Sequence, residues 1–310
     1  MNEETLQAQL SWTPVLEGAV PDASGSIVVG GMGGSALPAY ATRFLDSAFP
    51  VVVHGDYDLP EHATANALYA AISYSGDTAE TLSFAKAAKA RGLPLAAITS
   101  GGDLLSFARD AGVPFITVPA GVQPRNALVY LLRALLALTG REDLLAALAA
   151  APLDAVSAEQ DAKELAGALP GALPLFYASR KNGFLARTFK IHLNESAKMP
   201  AFANVFPELN HNEMQSFDTA APEALAALAR FVLMTDTDDD ARVARRMTVF
   251  TELMRERGRS VTELALVGAT RAEKLVRAWF TAYRTAHLLA EARGVDPDTV
   301  PLVEDFKNRL

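Results

Sequence analysis

The chain has 310 residues, of which half are hydrophobic and 21% are charged, and this is the composition of a folded protein long enough for two domains. It contains no cysteine, which excludes disulfides, thiolate nucleophiles, iron–sulfur clusters and cysteine-ligated zinc. The formal net charge of −8 disfavours non-specific nucleic-acid binding, because such binding needs a basic surface.

The sequence carries no signal for export or for membrane insertion. Its first residues, MNEETLQAQLSW, are acidic and lack the basic and apolar regions of a signal peptide. No later run approaches the roughly 18 apolar residues that a membrane span requires. Together with the absence of cysteine, this leads us to expect a cytoplasmic protein that binds neither membrane nor nucleic acid.

Short apolar runs alternate with longer amphipathic segments through the first half of the chain. The runs are SIVVGG, PVVVHG, NALYAAISYS, PLAAITS and PFITVP. This alternation predicts a parallel sheet with helices on both faces. An apolar helix, PRNALVYLLRALLALTG, and an alanine-rich segment follow. We expect the junction within that segment, dividing the chain into domains 1–152 and 153–310.

The second half repeats the alternation with the runs ALPLFYAS, RFVLMTD and SVTELALVG. Both halves are therefore predicted to be α/β. In sheets of this kind, ligands bind beyond the carboxyl ends of the strands, where loops lead into helix N-termini. This rule points to the segments that follow VVGG, AISYS and LFYAS.

The stretch SIVVGGMGGSALPAY is predicted to be a strand, a glycine-rich turn and a helix. Gly33 and Gly34 let the backbone approach an anion closely, and the hydroxyl of Ser35 adds a donor at the helix start. The same stretch fits the dinucleotide pattern G-x-G-x-x-A, with Asp56 about 20 residues further on. A tight turn with no ligand remains an alternative.

A second loop, SYSGDT, follows a neighbouring strand and opens a helix. Ser73, Ser75 and Thr78, with the backbone N–H groups around Gly76, can surround one small dianion there. The alternative is a helix cap by Ser75 or Asp77, with Glu80 as its partner. Because a cap requires one hydroxyl and not three, phosphate binding is the favoured interpretation.

Taken together, GMGGS and SYSGDT resemble the sugar isomerase (SIS) domain. LNESAK and PELNHNEM resemble the bifunctional phosphoglucose/phosphomannose isomerases of archaea and some bacteria. The resemblance covers nearly the whole chain and implies two SIS-type domains, which are flavodoxin-like three-layer αβα folds with parallel sheets. It implies interconversion of glucose 6-phosphate and fructose 6-phosphate, with mannose 6-phosphate as a further substrate, through a cis-enediol and without metal or nucleotide.

The resemblance also implies a role for particular residues. Glu195 in LNES matches the family's catalytic glutamate, and Arg125 in VQPRNAL matches the arginine that stabilises the enediolate. His211 in NHNEM and Lys307 in VEDFKNRL match the two ring-opening residues. Thr299 is the candidate for the threonine that leaves room for both C2 epimers. The six residues implied to hold the phosphate are Gly33, Gly34, Ser35, Ser73, Ser75 and Thr78.

The family's active site lies between the two domains and is completed in a homodimer, in which His211 would come from the other subunit. Considered without the family, Glu195 and Lys307 fit solvated helix positions, and Glu208, His211 and Glu213 raise the alternative of a metal site. The acidic stretch TDTDDDAR is explained by capping of the helix that follows.

Three other functions stay open at this point. A catalytically silent SIS sensor would keep the phosphate loops and lose the function of Glu195 or His211. A dinucleotide-binding oxidoreductase would use GMGGSA and Asp56. A different SIS isomerase, acting on an arabinose or ketohexose phosphate, would share the loops and differ in sugar preference.

Overall fold

The computed structural model describes residues 3–23, 25–218 and 224–309, and the chain divides into two compact units, 1–151 and 152–310. Each unit is an α/β layer structure built on its own sheet, which confirms the predicted fold class. No helix within the described ranges combines the length and the apolar character needed to cross a membrane.

The sheet of the first unit contains β1 (Leu16–Glu17), β2 (Ile27–Gly30), β3 (Val51–His54), β4 (Leu68–Ser73), β5 (Leu95–Thr99) and β6 (Phe115–Thr117). The strand order is β1-β6-β5-β4-β2-β3. β1 pairs antiparallel with β6, and every other pair is parallel. The helices are α1 (Glu3–Ser11), α2 (Leu37–Leu45), α3 (Ala79–Ala90), α4 (Gly102–Asp110), α5 (Leu128–Leu138) and α6 (Glu142–Ala149).

Both faces of this sheet are buried, which explains why its strands read as continuous apolar runs. In β4, Ala70 and Ile72 face a core shared with Leu131 of α5. Tyr69, next to Ala70 in the chain, faces a second core that contains Phe84 of α3. The period of two along the strand therefore places helices on both faces.

The order of the strands creates a switch point between β2 and β4. From β2 the chain continues to β3 on one side, whereas from β4 it continues to β5 and β6 on the other side. The loops that leave β2 and β4 therefore diverge to opposite faces of the sheet. In doubly wound sheets this divergence opens the crevice in which ligands bind.

The second unit has a parallel sheet of β7 (Leu173–Ser179), β8 (Phe202–Phe206), β9 (Ala229–Thr235) and β10 (Ser260–Ala265), in the order β10-β9-β7-β8. The helices are α7 (Ala155–Ala168), α8 (Gly183–Glu195), α9 (Ala224–Leu228), α10 (Ala241–Glu256), α11 (Arg271–Arg293) and α12 (Pro301–Lys307). Tyr177, Phe231 and Phe250 form an aromatic core on the α10 side of the sheet. The switch point of this sheet lies between β7 and β9.

Candidate active site

The loop after β2 is shaped by close approach of two backbone segments. It enters a short 3₁₀ turn, Gly33–Ala36, in which Gly33 has φ +49°, in the left-handed region. A Cβ on Gly34 would lie 2.9 Å from the backbone nitrogen of Arg125 and 2.9 Å from the carbonyl oxygen of Pro124. Only glycine lets this loop pack against the turn that carries Arg125, so the two predicted segments meet.

Ser35 connects the two loops of the switch point. Its side chain is buried, and its Oγ accepts a hydrogen bond of 3.0 Å from the backbone N–H of Tyr74. A hydroxyl that accepts one hydrogen bond still has its own proton to donate. Ser35 is therefore placed both to hold the SYSGDT loop and to donate to an anion.

The hydroxyl groups of the SYSGDT loop lie within a single turn of the backbone. The buried Oγ of Ser73 lies 2.9 Å from Oγ1 of Thr78 and accepts a 3.1 Å hydrogen bond from the N–H of Gly76. The Oγ of Ser75 accepts a hydrogen bond of 3.3 Å from the N–H of Asp77. The three hydroxyls that the sequence singled out thus lie within one turn of backbone.

Neither Ser75 nor Asp77 makes a described capping hydrogen bond to α3, because the Ser75 hydroxyl accepts from the N–H of Asp77, which precedes that helix. Thr78 occupies the N-cap position of α3, but its side chain makes no capping hydrogen bond within the part of the chain that the structure describes. The Asp77 carboxylate instead accepts from the N–H of Asp103, in the first turn of α4, at 3.0 Å. Gly76 has φ +86° and lies directly against the carbonyl of Gly101, so a side chain at this position would collide with that backbone.

Arg125 lies in the 3₁₀ turn Pro124–Asn126 that precedes α5, and its side chain is 1% exposed. The turn is anchored by α1, because Nε2 of Gln9 donates to the carbonyl of Asn126 at 2.8 Å. A guanidinium carried on an anchored turn is suited to stabilise developing negative charge.

Tyr74, which sequence reasoning passed over, fixes the chain that leads to this turn. Its hydroxyl donates to the carbonyl of Pro119 at 3.0 Å and accepts from the N–H of Val122 at 3.2 Å. Burial raises the pKa of Tyr74, and the Val122 N–H partly opposes that shift, so the phenol stays protonated and keeps its donor. The sequence feature that could have indicated this anchoring role is an aromatic residue placed between two serines at the end of a strand.

In the second unit, Glu195 is the last residue of α8 and is half-buried. The side chain of Lys198, three residues later, donates to the carbonyl of Glu195 at 2.5 Å and to the carbonyl of Thr299 at 2.6 Å. The structure thus brings together two predicted residues, Glu195 and Thr299, through a third. Sequence reasoning assigned no role to Lys198, although it belongs to the quoted LNESAK motif.

His211 ends a 3₁₀ turn, Glu208–His211, and its side chain is exposed. The loop is held in place by Glu213, whose carboxylate accepts from the Tyr177 hydroxyl and from the Asn204 amide. Burial, with the hydrogen bond and charge of Glu213, raises the pKa of Tyr177. Glu213 is thus engaged structurally, and the described residues contain no group of three His, Asp or Glu arranged to hold a metal ion.

Lys307 lies on α12, which is exposed along its whole length. Its side chain makes no hydrogen bond or ion pair with any other described residue. Among the predicted site residues, the structure therefore joins Gly34 to Arg125, Ser35 to the SYSGDT loop, and Glu195 to Thr299. It gives no such contact for His211 or Lys307.

The acidic stretch TDTDDDAR divides into two roles. Asp240 caps α10 by accepting from the N–H of Arg242 at 2.8 Å, which confirms the capping interpretation for that residue. For Asp236 that interpretation is wrong. Its fully buried carboxylate pairs with Lys274 at 2.6 Å and with Arg271 at 2.7 Å.

Asp236 marks a difference between the two switch points. It follows β9, and Asn182, which follows β7, donates to its carboxylate at 3.1 Å. The second unit therefore fills its own switch point with ion pairs. The first unit lines the corresponding place with hydroxyl and N–H groups, which is the donor set that a phosphate needs.

Comparisons with known proteins identify relatives of this chain by sequence. Residues 158–310 match the family of bacterial phospho-glucose isomerase C-terminal SIS domains. A bifunctional phosphoglucose/phosphomannose isomerase of Caldicellulosiruptor bescii is 34% identical over 303 residues, covering 92% of this chain and 89% of the relative. A D-glucosamine-6-phosphate 4-epimerase of Sulfolobus acidocaldarius is 33% identical over 195 residues, covering 61% of this chain and 63% of the relative.

The fold is also found among solved structures. A glucose-6-phosphate isomerase-like protein of Thermus thermophilus superposes with a TM-score of 0.62 at 19% identity, covering 98% of this chain and 93% of that one. At this identity the likeness establishes the fold alone.

Proposed function

Since the chain belongs to the bifunctional phosphoglucose/phosphomannose isomerase family, we propose that it interconverts glucose 6-phosphate and fructose 6-phosphate, with mannose 6-phosphate as a second aldose. The observation that carries this proposal is the switch point between β2 and β4, where Ser35, Ser73 and Thr78 present hydroxyls within two loops joined by one hydrogen bond. Such a place suits the phosphate that all three sugars share.

Phosphate binding and chemistry are assigned to different residues. Gly33, Gly34, Ser35, Ser73, Ser75 and Thr78 would hold the phosphate. Binding energy gained at a phosphate remote from the reacting carbons is then used to hold those carbons in the reactive geometry.

The proton transfer is assigned to Glu195. Its carboxylate would take the proton from the carbon next to the carbonyl and return it to the neighbouring carbon, so the step needs no metal. Between the two transfers the substrate is an enediolate, whose negative charge Arg125 would stabilise. Tolerance of both epimers requires the enediol to rotate about C2–C3 before reprotonation, and Thr299 is the residue proposed to leave that room.

Ring opening is assigned to His211 and Lys307. An imidazole near neutral pH can accept from the anomeric hydroxyl or donate to the ring oxygen, which is what this step needs. We propose that the protein is a cytoplasmic homodimer and that His211 acts on substrate bound to the partner subunit. The exposure of the His211 side chain is compatible with this assignment.

The first test is incubation with fructose 6-phosphate in excess EDTA, with the products resolved by NMR. The proposal predicts both glucose 6-phosphate and mannose 6-phosphate, and loss of both in Glu195→Gln. Glucose 6-phosphate alone would restrict the specificity. No turnover, despite thermal stabilisation by fructose 6-phosphate, would favour a sensor. Conversion of glucosamine 6-phosphate to its C4 epimer, without isomerase activity, would favour the epimerase chemistry of the Sulfolobus relative.

The dimer is tested by co-expression of two inactive chains, Glu195→Gln and His211→Ala. In a mixed dimer, one active site would combine an intact Glu195 with an intact His211 from the other subunit, and partial activity would return. If both residues act within one subunit, every site of the mixed dimer lacks one of them and the mixture stays inactive.

A further inference from the structure

Lys198 lies in the turn that ends α8, and its backbone conformation is unusual for a lysine. Its φ of +52° lies in the left-handed region, which costs a residue with a Cβ about 1 kcal/mol and where glycine or asparagine is the ordinary choice. A glycine at this position would remove that cost. The presence of a lysine therefore calls for a contribution from its side chain.

The Lys198 side chain is not needed to end helix α8. The N–H of Ser196 donates to the carbonyl of His192 at 2.8 Å, and the N–H of Met199 donates to the carbonyl of Leu193 at 3.0 Å. Asn194 adds an acceptor for the N–H of Ala201 at 2.9 Å. These bonds close the turn with no contribution from the ammonium group of Lys198.

The ammonium group instead joins two segments that are far apart in the chain. It donates to the carbonyl of Glu195 at 2.5 Å and to the carbonyl of Thr299 at 2.6 Å, across 101 residues. The carbonyl of Lys198 in turn accepts from Arg293 at 3.4 Å, at the end of α11. Hydrogen bonds from a charged donor are shorter and stronger than neutral ones.

We propose that Lys198 is a positioning residue for the isomerase reaction, fixing the backbone of Glu195 against the segment 294–300. The inference rests on the proposed function, in which the Glu195 carboxylate moves the proton. The segment 294–300 carries Thr299 and leads into α12, on which Lys307 lies. The Lys198 side chain thus fixes both the backbone position from which the Glu195 side chain extends and the backbone path of residues 294–300. Displacements of a catalytic group by about 1 Å cost on the order of 100-fold in rate.

The substitutions Lys198→Met and Lys198→Gly test this role. Methionine keeps the bulk and removes the donor, whereas glycine also relieves the left-handed strain. We expect both to lower kcat for fructose 6-phosphate by roughly 10- to 100-fold, with KM changed less than about threefold, because the phosphate residues are untouched. The Gly variant should lose less stability than the Met variant, because it removes the same hydrogen bonds but also relieves the left-handed strain. Lys198→Arg should recover part of kcat, since a guanidinium can also donate to two carbonyls.

A matched control is Lys89→Met. Lys89 is in the last turn of α3 and donates to the carbonyl of Ala111 at 2.6 Å, away from every assigned residue. This variant should retain the wild-type kcat. Hydrogen exchange gives a second readout. The backbone amides of residues 294–300 should exchange faster in Lys198→Met than in wild type, and at the wild-type rate in Lys89→Met.

An isotope effect separates positioning from a structural role. With glucose 6-phosphate deuterated at C2, the isotope effect on kcat should rise in Lys198→Met, because a misplaced carboxylate slows the proton transfer itself. A Lys198→Gly enzyme with wild-type kcat and isotope effect would overturn the inference while leaving the proposed function intact. Wild-type turnover that survives Glu195→Gln, or absence of isomerase turnover in the wild type, would overturn both.

Discussion

The hydroxyl of Ser35 accepts a hydrogen bond from the backbone N–H of Tyr74 at 3.0 Å, and this bond joins the loops that follow β2 and β4. Both Ser35 and Tyr74 are buried. A buried N–H that loses its acceptor is costly, so the bond stabilises the loops as well as arranging them. The place assigned to the phosphate is therefore built before substrate arrives.

Replacing Ser35 with alanine should lower both the stability of the protein and its affinity for the phosphate of the substrate. The variant leaves the Tyr74 N–H unsatisfied, which costs about 1–3 kcal/mol, and removes one donor to the phosphate. We expect a lower unfolding temperature and a KM for fructose 6-phosphate raised about 10-fold or more, since hydrogen bonds to charged groups contribute about 1.5–3 kcal/mol. Steady-state kinetics and thermal unfolding measure the two effects. Ser106→Ala, at an exposed position of α4, is the control. If Ser35→Ala had the same KM as Ser106→Ala, the assignment of Ser35 to the phosphate would be contradicted.

Gly34→Ala should reduce kcat by separating two backbone segments. The new Cβ would stand 2.9 Å from the backbone of Pro124 and Arg125, so the turn that holds Arg125 must move. Because Arg125 is assigned to the enediolate, we expect a loss of kcat on the order of 100-fold. Gly167→Ala is the control, since this glycine lies in α7 and, apart from its chain neighbours and the backbone of its own helix, no atom lies within 4 Å of the added Cβ. An unchanged kcat in Gly34→Ala would mean that the loop accommodates the methyl group or that Arg125 has another role.

Asp236→Asn should destabilise the second unit. The substitution removes the buried carboxylate that pairs with Lys274, and breaking a buried pair from one side costs up to about 3–5 kcal/mol. Lys274, which is 3% exposed, keeps the half-exposed carboxylate of Asp238 as a partner, so we expect a loss toward the lower end of this range. The matched control is Asp240→Asn, because its pair with Arg242 is exposed and asparagine caps a helix nearly as well as aspartate. Chemical denaturation of both variants measures the difference. Equal stabilities would show that the buried pair contributes no more than the exposed one.

The buried pair of Asp236 and Lys274 also predicts how stability responds to acid. Burial alone would raise the pKa of Asp236, but the hydrogen bond and charge of Lys274, together with hydrogen bonds from the Asp238 N–H and the Asn182 amide, outweigh it and hold the pKa below its ordinary value. The unfolded chain then binds the proton at higher pH than the folded chain does. The stabilisation from Asp236 is therefore complete above about pH 4 and is lost as the pH falls through the folded-state pKa. Asp236→Asn should lack this part of the acid transition.

His287 predicts a second pH dependence, at higher pH. Its ring packs against that of Tyr283 in a tilted arrangement with centroids 3.8 Å apart, so His287 is a packing residue. Burial lowers the pKa of His287 to about 4, and the hydrogen bond to the Tyr283 carbonyl only partly opposes this. Because the unfolded chain binds the proton near pH 6.5, stability should fall between about pH 6.5 and 4, by about 3 kcal/mol at most.

Urea unfolding between about pH 4 and 7.5 checks this dependence. His287→Gln should flatten the profile in that interval. His62→Gln is the control, because His62 is exposed and its replacement should leave the slope as in wild type. A His287→Gln profile that keeps the wild-type slope would place the responsible group elsewhere.

Eight of the ten described strands, and the loops after them, were predictable from the sequence because both depend on local properties. The sequence analysis missed β1, which has two exposed residues, and β8, which is largely unburied, because neither forms a continuous apolar run. The run ALYAAI has apolar residues at every position since both faces of β4 are buried, and the left-handed φ of Gly33 and Gly76 marks the turns that follow. The family motifs added roles for Glu195, Arg125 and His211, which no local pattern of residues supplies. Those roles remain predictions for this chain.

Which side chains meet was decided only by the tertiary structure. Ser35 and Tyr74 are 39 residues apart, and they meet because β2 and β4 pair directly, with β3 on the outer side of β2. The same holds for Lys198 and Thr299, and for Asp236, which the sequence could not distinguish from the capping Asp240. A hydrogen bond or an ion pair depends on distance in space, and for residues far apart in the chain that distance is fixed by strand pairing and helix packing. The sequence by itself determined the elements and the donors they carry, whereas the pairing of strands determined which donors act together.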